Sequence, residues 1–205
     1  MNDNFAHRAA EWDNDAKIAM TQKFGNALLL HITPNKQWKA LEIGAGTGLV
    51  GMQLIDQLAG IVFEDTSEAM LSVLKQKLQL SNKSNFAEIV HGEVFEYKEQ
   101  DIDLAFSCMA FHHIENISET LKHLYAITKP NALVAVGDIR TEDGSFHHFE
   151  PIPHKGFDTK ELSLIFENSG FNVKLVEDYN VLQRERTAGV ISDYQQFILI
   201  AQRKD

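Results

Sequence analysis

Residues 40–51 combine a short apolar run with one acid and three closely spaced glycines. Glu42 stands near the end of the apolar run, and Gly44, Gly46 and Gly48 alternate with small residues after it. Glycine suits positions where the backbone turns with positive φ, or where a ligand approaches with no Cβ in the way. A buried acid is unfavourable unless it meets a partner. The pattern therefore predicts a strand, a glycine turn and a helix N-terminus around a nucleotide-like ligand.

Asp65 follows the glycines at a distance of about 20 residues, where an acid can hydrogen-bond ribose hydroxyls. It could instead complement the dipole of the helix that begins after it. The segment from Gly46 to Gly51 also fits the G-x-G-x-x-G pattern of NAD-binding proteins. In that pattern the first glycine directly follows the strand, and here that glycine is Gly44. Glu42 is out of place before a pyrophosphate and suits a ligand end that carries a cation.

Strand and helix patterns alternate along most of the chain. Predicted strands cover residues 38–43, 61–63, 86–90, 102–106, 133–136, 173–176 and 194–201. Predicted helices cover residues 14–31, the stretch after the glycines through 58, a segment capped by Ser67, 115–127 and 158–170. This alternation predicts an α/β, Rossmann-like, doubly wound sheet of seven mostly parallel strands with helices on both faces. The last two strands are separated by the polar stretch 183–186, which predicts an antiparallel edge strand.

The composition is typical of one globular domain over residues 1–205, with 44% apolar residues. We expect an N-terminal helical arm (1–35), a ligand-binding core (36–138), a loop lining the acceptor side (139–157) and a C-terminal helix with two strands (158–205). No segment resembles a membrane span or a secretory signal, and the single Cys108 suits a reducing compartment, so we expect a cytoplasmic protein.

The net charge of −10, from 19 basic and 29 acidic residues, disfavours nucleic acid and membrane surfaces as partners. A small-molecule substrate is the better prediction. The sequence does not indicate an oligomeric state.

Four segments carry a family resemblance in the same order along the chain. The glycine segment beginning at Glu42 resembles the first motif of class I S-adenosylmethionine-dependent methyltransferases. Residues 65–71, 92–94 and 103–113 are similar to three further motifs of that family. The resemblance covers roughly residues 5–138, and four motifs in order are far more specific than one. It implies methyl transfer from S-adenosyl-L-methionine to a small molecule, with S-adenosyl-L-homocysteine as product.

The resemblance also implies roles for individual residues around the cofactor. Glu42 and the backbone of Gly44, Ala45, Gly46 and Gly48 would hold the methionine portion, and Asp65 the ribose hydroxyls. Met70 or Thr66 would pack beside the adenine, Glu93 and Val94 would meet its amino group and ring, and Ser107 and Cys108 would lie at the methionine end. Trp12, together with Phe5, is similar to a cofactor cover, although both could simply anchor an N-terminal arm.

Three histidines are the candidate catalytic bases, because imidazole can accept a proton near neutral pH. His112 and His113 follow the fourth strand, and His147 lies in the acceptor-side loop. Neighbouring positions on a helical turn diverge by about 100°, so we expect only one of the first two to face the crevice. Either ring could instead fix the geometry of its loop.

A further set, His147, His148, Glu150 and His154, contains ligand types that several metals accept, but its spacing in an irregular loop predicts no metal site. Cys108 lacks the basic neighbours of a reactive thiol, and we interpret it as a small buried residue. Two alternative functions stay open at this point. One is an NAD-linked oxidoreductase, and the other is a cofactor-binding protein without turnover.

Overall fold

The computed structural model describes residues 6–187 and 189–205, and the strands of this part form one seven-stranded sheet. The strands are β1 (Lys39–Ile43), β2 (Gly60–Asp65), β3 (Ala87–His91), β4 (Ile102–Cys108), β5 (Thr128–Ile139), β6 (Phe171–Thr187) and β7 (Val190–Arg203). Their order across the sheet is β3-β2-β1-β4-β5-β7-β6. Strand β7 runs antiparallel to β5 and β6, and the other neighbouring pairs are parallel. The predicted α/β sheet with antiparallel pairing at one edge is confirmed.

Five α-helices cover the sheet within the described residues. They are α1 (Asp15–His31), α2 (Gly51–Leu54), α3 (Glu68–Leu80), α4 (Ile117–Ile127) and α5 (Thr159–Asn168). The predicted caps are present: Ser67 accepts from the Met70 amide, and Asp158 from the amides at the start of α5. Helix α2 is shorter than predicted, because the chain tightens into a 3-10 turn at Ile55–Gln57. None of the helices described is both long enough and apolar enough to cross a membrane.

The two sides of the sheet bury separate apolar cores, because successive strand residues point to opposite faces. Helices α1, α2 and α3 cover one face, and α4 and α5 cover the other. The first core includes Phe24, Leu54, Phe63, Leu74 and Phe106. The second includes Leu41, Val62, Leu121, Val134 and Phe166. Helices on both faces, as predicted, leave the ends of the strands as the place where a ligand can reach the sheet.

The order of the strands reverses between β1 and β4, which are neighbours in the middle of the sheet. The chain passes from β1 to β2 on one side, and from β4 to β5 on the other. In sheets of this kind, ligands bind beyond the carboxyl ends of the strands at this switch point. The glycine turn follows β1, Asp65 ends β2 and Cys108 ends β4. The fold therefore brings the residues of the predicted ligand site to one crevice.

The C-terminal hairpin differs from its prediction. Residues 183–186 do not separate the last two strands but belong to β6, which continues to residue 187. The strands reverse close to Gly189, whose φ of 80° suits a tight turn. In this outer part of the hairpin, exposed and half-buried residues alternate, and polar residues such as Gln183 and Asp193 pair across the strands. The sequence here lacks the apolar signal of a buried strand, which explains the error. The longer hairpin reaches the loop after β5, where it contributes to the site described below.

Candidate active site

The glycine turn adopts the backbone conformation predicted for it. Gly44, Gly46 and Gly48 all have positive φ, at 64°, 56° and 76°. A Cβ on Gly44 would also collide with the side chain of Ala110, in the loop that follows β4. The glycines therefore let the turn after β1 approach the end of β4. The amide of Ala45 donates to the Glu64 carbonyl at 2.8 Å, which ties the turn to the end of β2.

Glu42 lies beneath this turn, on the face of the sheet that α2 covers. Its side chain is 3% exposed, and the Gly51 amide at the start of α2 donates to its carboxylate at 2.9 Å. Burial raises the pKa of Glu42 to about 8, although the hydrogen bond from Gly51 favours the ionised form. The charge of Asp65 adds to the increase. In the ligand-free protein Glu42 thus braces the first turn of α2. Its predicted contact with the cofactor stays a prediction.

Glu64 is a second buried acid, and sequence reasoning missed it as a site residue. It is 3% exposed, on the opposite face of the sheet from Glu42, and accepts from the Gly44 amide at 3.4 Å. Burial raises its pKa well above the ordinary value, and the charges of Asp65 and Glu93 add to this. The available signal was its place beside Asp65 at the end of a buried strand. Two acids thus lie close to the same turn, one on each side of the sheet.

Asp65 joins the glycine turn to helix α3. Its two carboxylate oxygens accept from the Gly46 amide at 2.6 Å and from the Ser67 amide at 2.8 Å. Asp65 supports the start of α3 and also lies against the glycine turn. Its geometry is therefore compatible with both predicted roles, helix capping and ribose binding. A carboxylate oxygen can accept more than one hydrogen bond, so this geometry is compatible with a ribose contact.

The other predicted cofactor residues surround the same strand ends. Thr66 and Glu93 are exposed, whereas Met70 and Val94 are buried, at 2% and 4%. Ser107 is fully buried and donates to the Ile43 carbonyl at 3.1 Å, which joins the tips of β1 and β4. Their individual contacts with the cofactor stay predictions.

Cys108 is half-buried at the end of β4. Burial raises the pKa of its thiol, and the nearby charges of Glu42 and Asp138 raise it further. A thiol in this state is protonated at neutral pH and is a poor nucleophile. The geometry agrees with the interpretation of Cys108 as a small residue that fills space beside the ligand.

The N-terminal arm lies across the glycine turn. A Cβ built on Gly46 would be 3.9 Å from the indole nitrogen of Trp12. Asp13 bonds to the Thr47 hydroxyl and to the Lys77 ammonium, the latter at 2.7 Å. The same ammonium donates to the Thr47 carbonyl at 2.8 Å. This network holds the arm against both the turn and α3, in the place expected of a cover. Phe5, the other predicted aromatic of the arm, lies outside the described residues.

A basic group that sequence reasoning missed, Lys17, lies beside Trp12 and close to Cys108. The Lys17 ammonium is 4.3 Å from the centre of the Trp12 ring. Burial lowers the pKa of Lys17 to about 8, and the charges of Arg184 and Arg8 lower it further. Because it sits on the amphipathic helix α1, the sequence offers no signal that separates it from an ordinary surface lysine.

The three candidate histidines come together beyond the end of β4. The ring centres of His112 and His113 are 4.3 Å apart, and that of His147 is 5.0 Å from the first and 5.2 Å from the second. His112 is 1% exposed and His113 is half-buried. Both rings thus belong to one cluster, although successive side chains of a 3-10 turn such as Phe111–His113 point about 120° apart.

Asp138, at the end of β5, organises this cluster and was not predicted. Its fully buried carboxylate lies 2.7 Å from Nδ1 of His112 and accepts from the His112 amide at 3.1 Å. On the other side of the ring, Nε2 of His112 lies 3.1 Å from Nε2 of His147. Asp138, His112 and His147 therefore form a continuous polar chain from the core to the crevice.

The other members of the alternative histidine set lie elsewhere. His148 and Glu150 are exposed, and the His154 amide donates to the His112 carbonyl at 3.2 Å. Burial, with the neighbouring imidazoles, lowers the pKa of His113 to about 3 and that of His147 to about 4. Both rings are therefore neutral at pH 7.

Comparison with known proteins identifies the family to which this architecture belongs. A family model described as a methyltransferase domain matches residues 41–134, from β1 into β5. This match and the similar proteins below support the class I S-adenosylmethionine-dependent methyltransferase family that the sequence motifs resemble. Malonyl-[acyl-carrier protein] O-methyltransferase 1 of Ilyobacter polytropus is 29% identical over 130 residues, which are 62% of this chain and 47% of that protein.

Two solved methyltransferases have the same fold at low sequence identity. An S-adenosylmethionine-dependent methyltransferase from Aquifex aeolicus matches with a TM-score of 0.72 at 18% identity, over 97% of this chain and 98% of the other. Phosphoethanolamine N-methyltransferase 2 of Haemonchus contortus, solved in complex with S-adenosyl-L-methionine, matches with a TM-score of 0.74 at 16% identity. That match covers 99% of this chain and 60% of the other.

This assignment confirms the methyltransferase family, the fold and the cofactor, S-adenosyl-L-methionine, that the four motifs predict. In this chain the first motif is the turn between β1 and α2, and it lies inside the matched region. The chain spans about half the length of the curated relatives that it matches. Residues after 134, which include the loop of residues 139–157 predicted to line the acceptor, lie outside the family match.

Proposed function

We propose that this chain transfers the methyl group of S-adenosylmethionine to a small anionic molecule. The observation that carries the cofactor half is the group of acids around the glycine turn: Glu42, Glu64, Asp65 and, further out, Glu93. Acids buried this close together keep their protons, with a raised pKa, unless a cation lies among them. S-adenosylmethionine brings a sulfonium and an ammonium, whereas the pyrophosphate of NAD would add two negative charges. The charges thus favour the methyl donor over the nicotinamide alternative.

The charges on the acceptor side have the opposite sign. Burial and the charges of Arg184 and Arg8 lower the pKa of Lys17, and burial and the charge of Arg8 lower the pKa of Arg184. An anion among these groups would relieve the repulsion. His113 and His147 interact with the same lysine. We therefore assign Lys17 and Arg184 to holding an anionic group of the acceptor.

The same cluster supplies candidate bases for an acceptor that must lose a proton. His113 and His147 are neutral at pH 7 and so can accept one. His112 already faces Asp138, which makes it a positioning residue for His147. An imidazole with a pKa of about 4 is a weak base, however, because general bases work best with a pKa near the working pH. A hydroxyl acceptor would need further stabilisation of its anion.

We further propose a division of labour along the chain. Residues 1–35, including Trp12, cover the cofactor, residues 36–138 bind it, and residues 139–157 line the acceptor with the C-terminal hairpin of 158–205. A cytoplasmic location remains a prediction from composition.

Calorimetric titration with S-adenosylhomocysteine tests the cofactor site. The wild-type protein should bind it saturably, and Asp65→Ala should weaken binding by about 10- to 100-fold, as expected when a hydrogen-bonded carboxylate is removed. Glu99→Ala is the matched control, because Glu99 is an exposed acid away from the turn. The same titration with NADH should give no saturable heat. Binding of NADH in place of S-adenosylhomocysteine would refute the proposal.

Transfer itself is tested with methyl-labelled S-adenosylmethionine and a metabolite extract separated on an anion-exchange resin. Label should appear in a compound of the retained, anionic fraction, and Asp65→Ala should abolish it. Label confined to the unretained fraction would contradict the assignment of Lys17 and Arg184. Saturable cofactor binding with no transfer to any fraction would instead support a binding protein without turnover.

A further inference from the structure

We propose that His112, His113 and His147 form a binding site for one divalent transition-metal ion on the acceptor side of the crevice. Each ring can present one nitrogen so that the three atoms lie within 4.8 Å of one another. Sequence spacing predicts no metal site, since it considers only the histidines of the loop after β5. The structure pairs one histidine of that loop with two from the turn after β4, which is a different set.

The distance between the two nearest nitrogens suits a shared ion. Nε2 of His112 and Nε2 of His147 are 3.1 Å apart. With bonds of about 2.1 Å from imidazole to zinc, this separation corresponds to an angle of about 95° at the ion. That angle lies close to octahedral geometry and within modest reach of tetrahedral geometry. The third nitrogen, from His113, needs only to move inward to complete a three-nitrogen face.

Asp138 is placed where a metal site needs an outer carboxylate. Histidines that bind metals usually donate their other ring N–H to a carboxylate or carbonyl, which fixes the tautomer. Asp138 accepts from the Ile139 amide at 2.7 Å and from the His112 amide at 3.1 Å, so it is held as an acceptor. Its contact with Nδ1 therefore places the proton of His112 on that atom and leaves the lone pair of Nε2 directed toward His147.

The loop that carries His147 is held in place by the C-terminal hairpin. Ser145 shares a 2.7 Å hydrogen bond with the hydroxyl of Tyr194 on β7. Arg184 on β6 donates to the Phe146 carbonyl at 2.7 Å, and its guanidinium lies 4.4 Å from the centre of that ring. Ligands fixed by surrounding packing and hydrogen bonds form a site without extensive rearrangement. The cluster thus has the support from three separate elements that a metal site requires.

Three imidazoles are a ligand set that suits Zn²⁺ and neighbouring transition ions, and leaves at least one position open. An ion at this position would lower the pKa of an acceptor hydroxyl bound to it. It would thereby supply the stabilisation that weakly basic histidines lack. This use of the site rests on the proposed function, whereas ion binding itself does not.

Titration of the tag-free protein with Co²⁺, followed by its visible d–d absorption, tests the site, with Zn²⁺ as competitor. We expect one ion per chain, displaced by Zn²⁺. His147→Gln and His113→Gln should each weaken binding at least 10-fold. Asp138→Asn should weaken it by about 10- to 100-fold, as for other outer-sphere partners. His148→Asn is the matched control: His148 is exposed in the same loop, and asparagine tolerates its left-handed φ of 53°.

Circular dichroism of each variant shows whether it is folded, and a folded His147→Gln protein that binds Co²⁺ as the wild type does would overturn the proposal. Absence of Co²⁺ and Zn²⁺ binding by the wild-type protein would do the same, and would leave the cluster as a hydrogen-bonded network only. Calorimetry with S-adenosylhomocysteine on the same preparation separates the two proposals. A wild-type protein that binds the cofactor but no ion refutes the metal site. A wild-type protein that binds the ion but no cofactor refutes the proposed function.

Discussion

Replacement of Glu42 by glutamine should stabilise the ligand-free protein, and increasingly so as the pH rises. The folded protein holds the proton of Glu42 with a pKa of about 8, against an ordinary value of 4.5. Protonation of this acid therefore favours the folded state. That contribution is fully present below pH 4.5 and is lost as the pH rises toward 8. Glutamine keeps an oxygen that can accept from the Gly51 amide, but it has no charge to bury.

The size of the effect follows from the interval between the two pKa values. One pKa unit corresponds to about 1.4 kcal/mol. Between pH 5 and pH 7 the wild-type protein should therefore lose about 2.5 kcal/mol through this group alone. The Gly51 amide and Lys77 favour the ionised form, and their effect is already included in the value of about 8. The stability difference between Glu42→Gln and wild type should thus grow by the same amount over this range.

Urea unfolding at pH 5, 6 and 7 measures this difference, followed by far-UV circular dichroism and by tryptophan fluorescence. Coincident transitions from the two probes justify a two-state free energy, and equal slopes against urea show that the variant exposes the same surface. Glu99→Gln serves as the control, because Glu99 is exposed and its replacement should leave the pH dependence unchanged. A difference that stays constant from pH 5 to pH 7 would show that Glu42 ionises freely, and would refute the reasoning from burial.

Two further predictions concern packing around the site. Gly137→Ala should destabilise the protein by about 1–3 kcal/mol in urea unfolding, because the added Cβ would collide with the ring of Phe24. Gly60→Ala is the control: its Cβ would meet the nearest atom at an ordinary 3.5 Å, so its stability should stay within about 0.5 kcal/mol of wild type. Lys77→Met should cost about 1 kcal/mol, since it removes a partly buried ion pair with Asp13, and should speed amide hydrogen exchange in residues 6–13. Unchanged exchange there would show that the arm is held by other contacts.

Most of the fold was predictable because its signals are local. The strands that end at Ile43, Asp65 and Cys108 are apolar runs bounded by turns, and the caps at Ser67 and Asp158 lie next to the helices that they begin. Each of these signals spans only a few residues. The C-terminal hairpin was mispredicted because its outer half is stabilised by pairing between two polar strands, which leaves no apolar pattern in either sequence.

The place of the predicted cofactor residues at the strand ends could also be inferred from sequence, for a related reason, while their contacts with the cofactor stay predictions. Its residues lie in βα turns whose strands are neighbours, so the position of each along the chain determines its place at the crevice. The sequence does not indicate to which face of the sheet each acidic side chain points. Glu42 and Glu64 both stand close to the end of a strand, yet one braces helix α2 and the other accepts from Gly44 on the opposite face. The face to which a residue points depends on its position within the strand, and sequence locates the ends of a strand only to within a few residues.

The acceptor side depends on contacts between distant segments, and this is why no single motif indicates it. His112 meets Asp138 across 26 residues and His147 across 35. His147 in turn is placed by Arg184, a further 38 residues beyond Phe146. Each of these partners lies in a different element, so the cluster forms only after β5 has paired with β7 and the hairpin has folded over the loop. The acids of the cofactor side need only the first half of the sheet. The histidine cluster and the acids around the glycine turn are therefore positioned by different parts of one sheet.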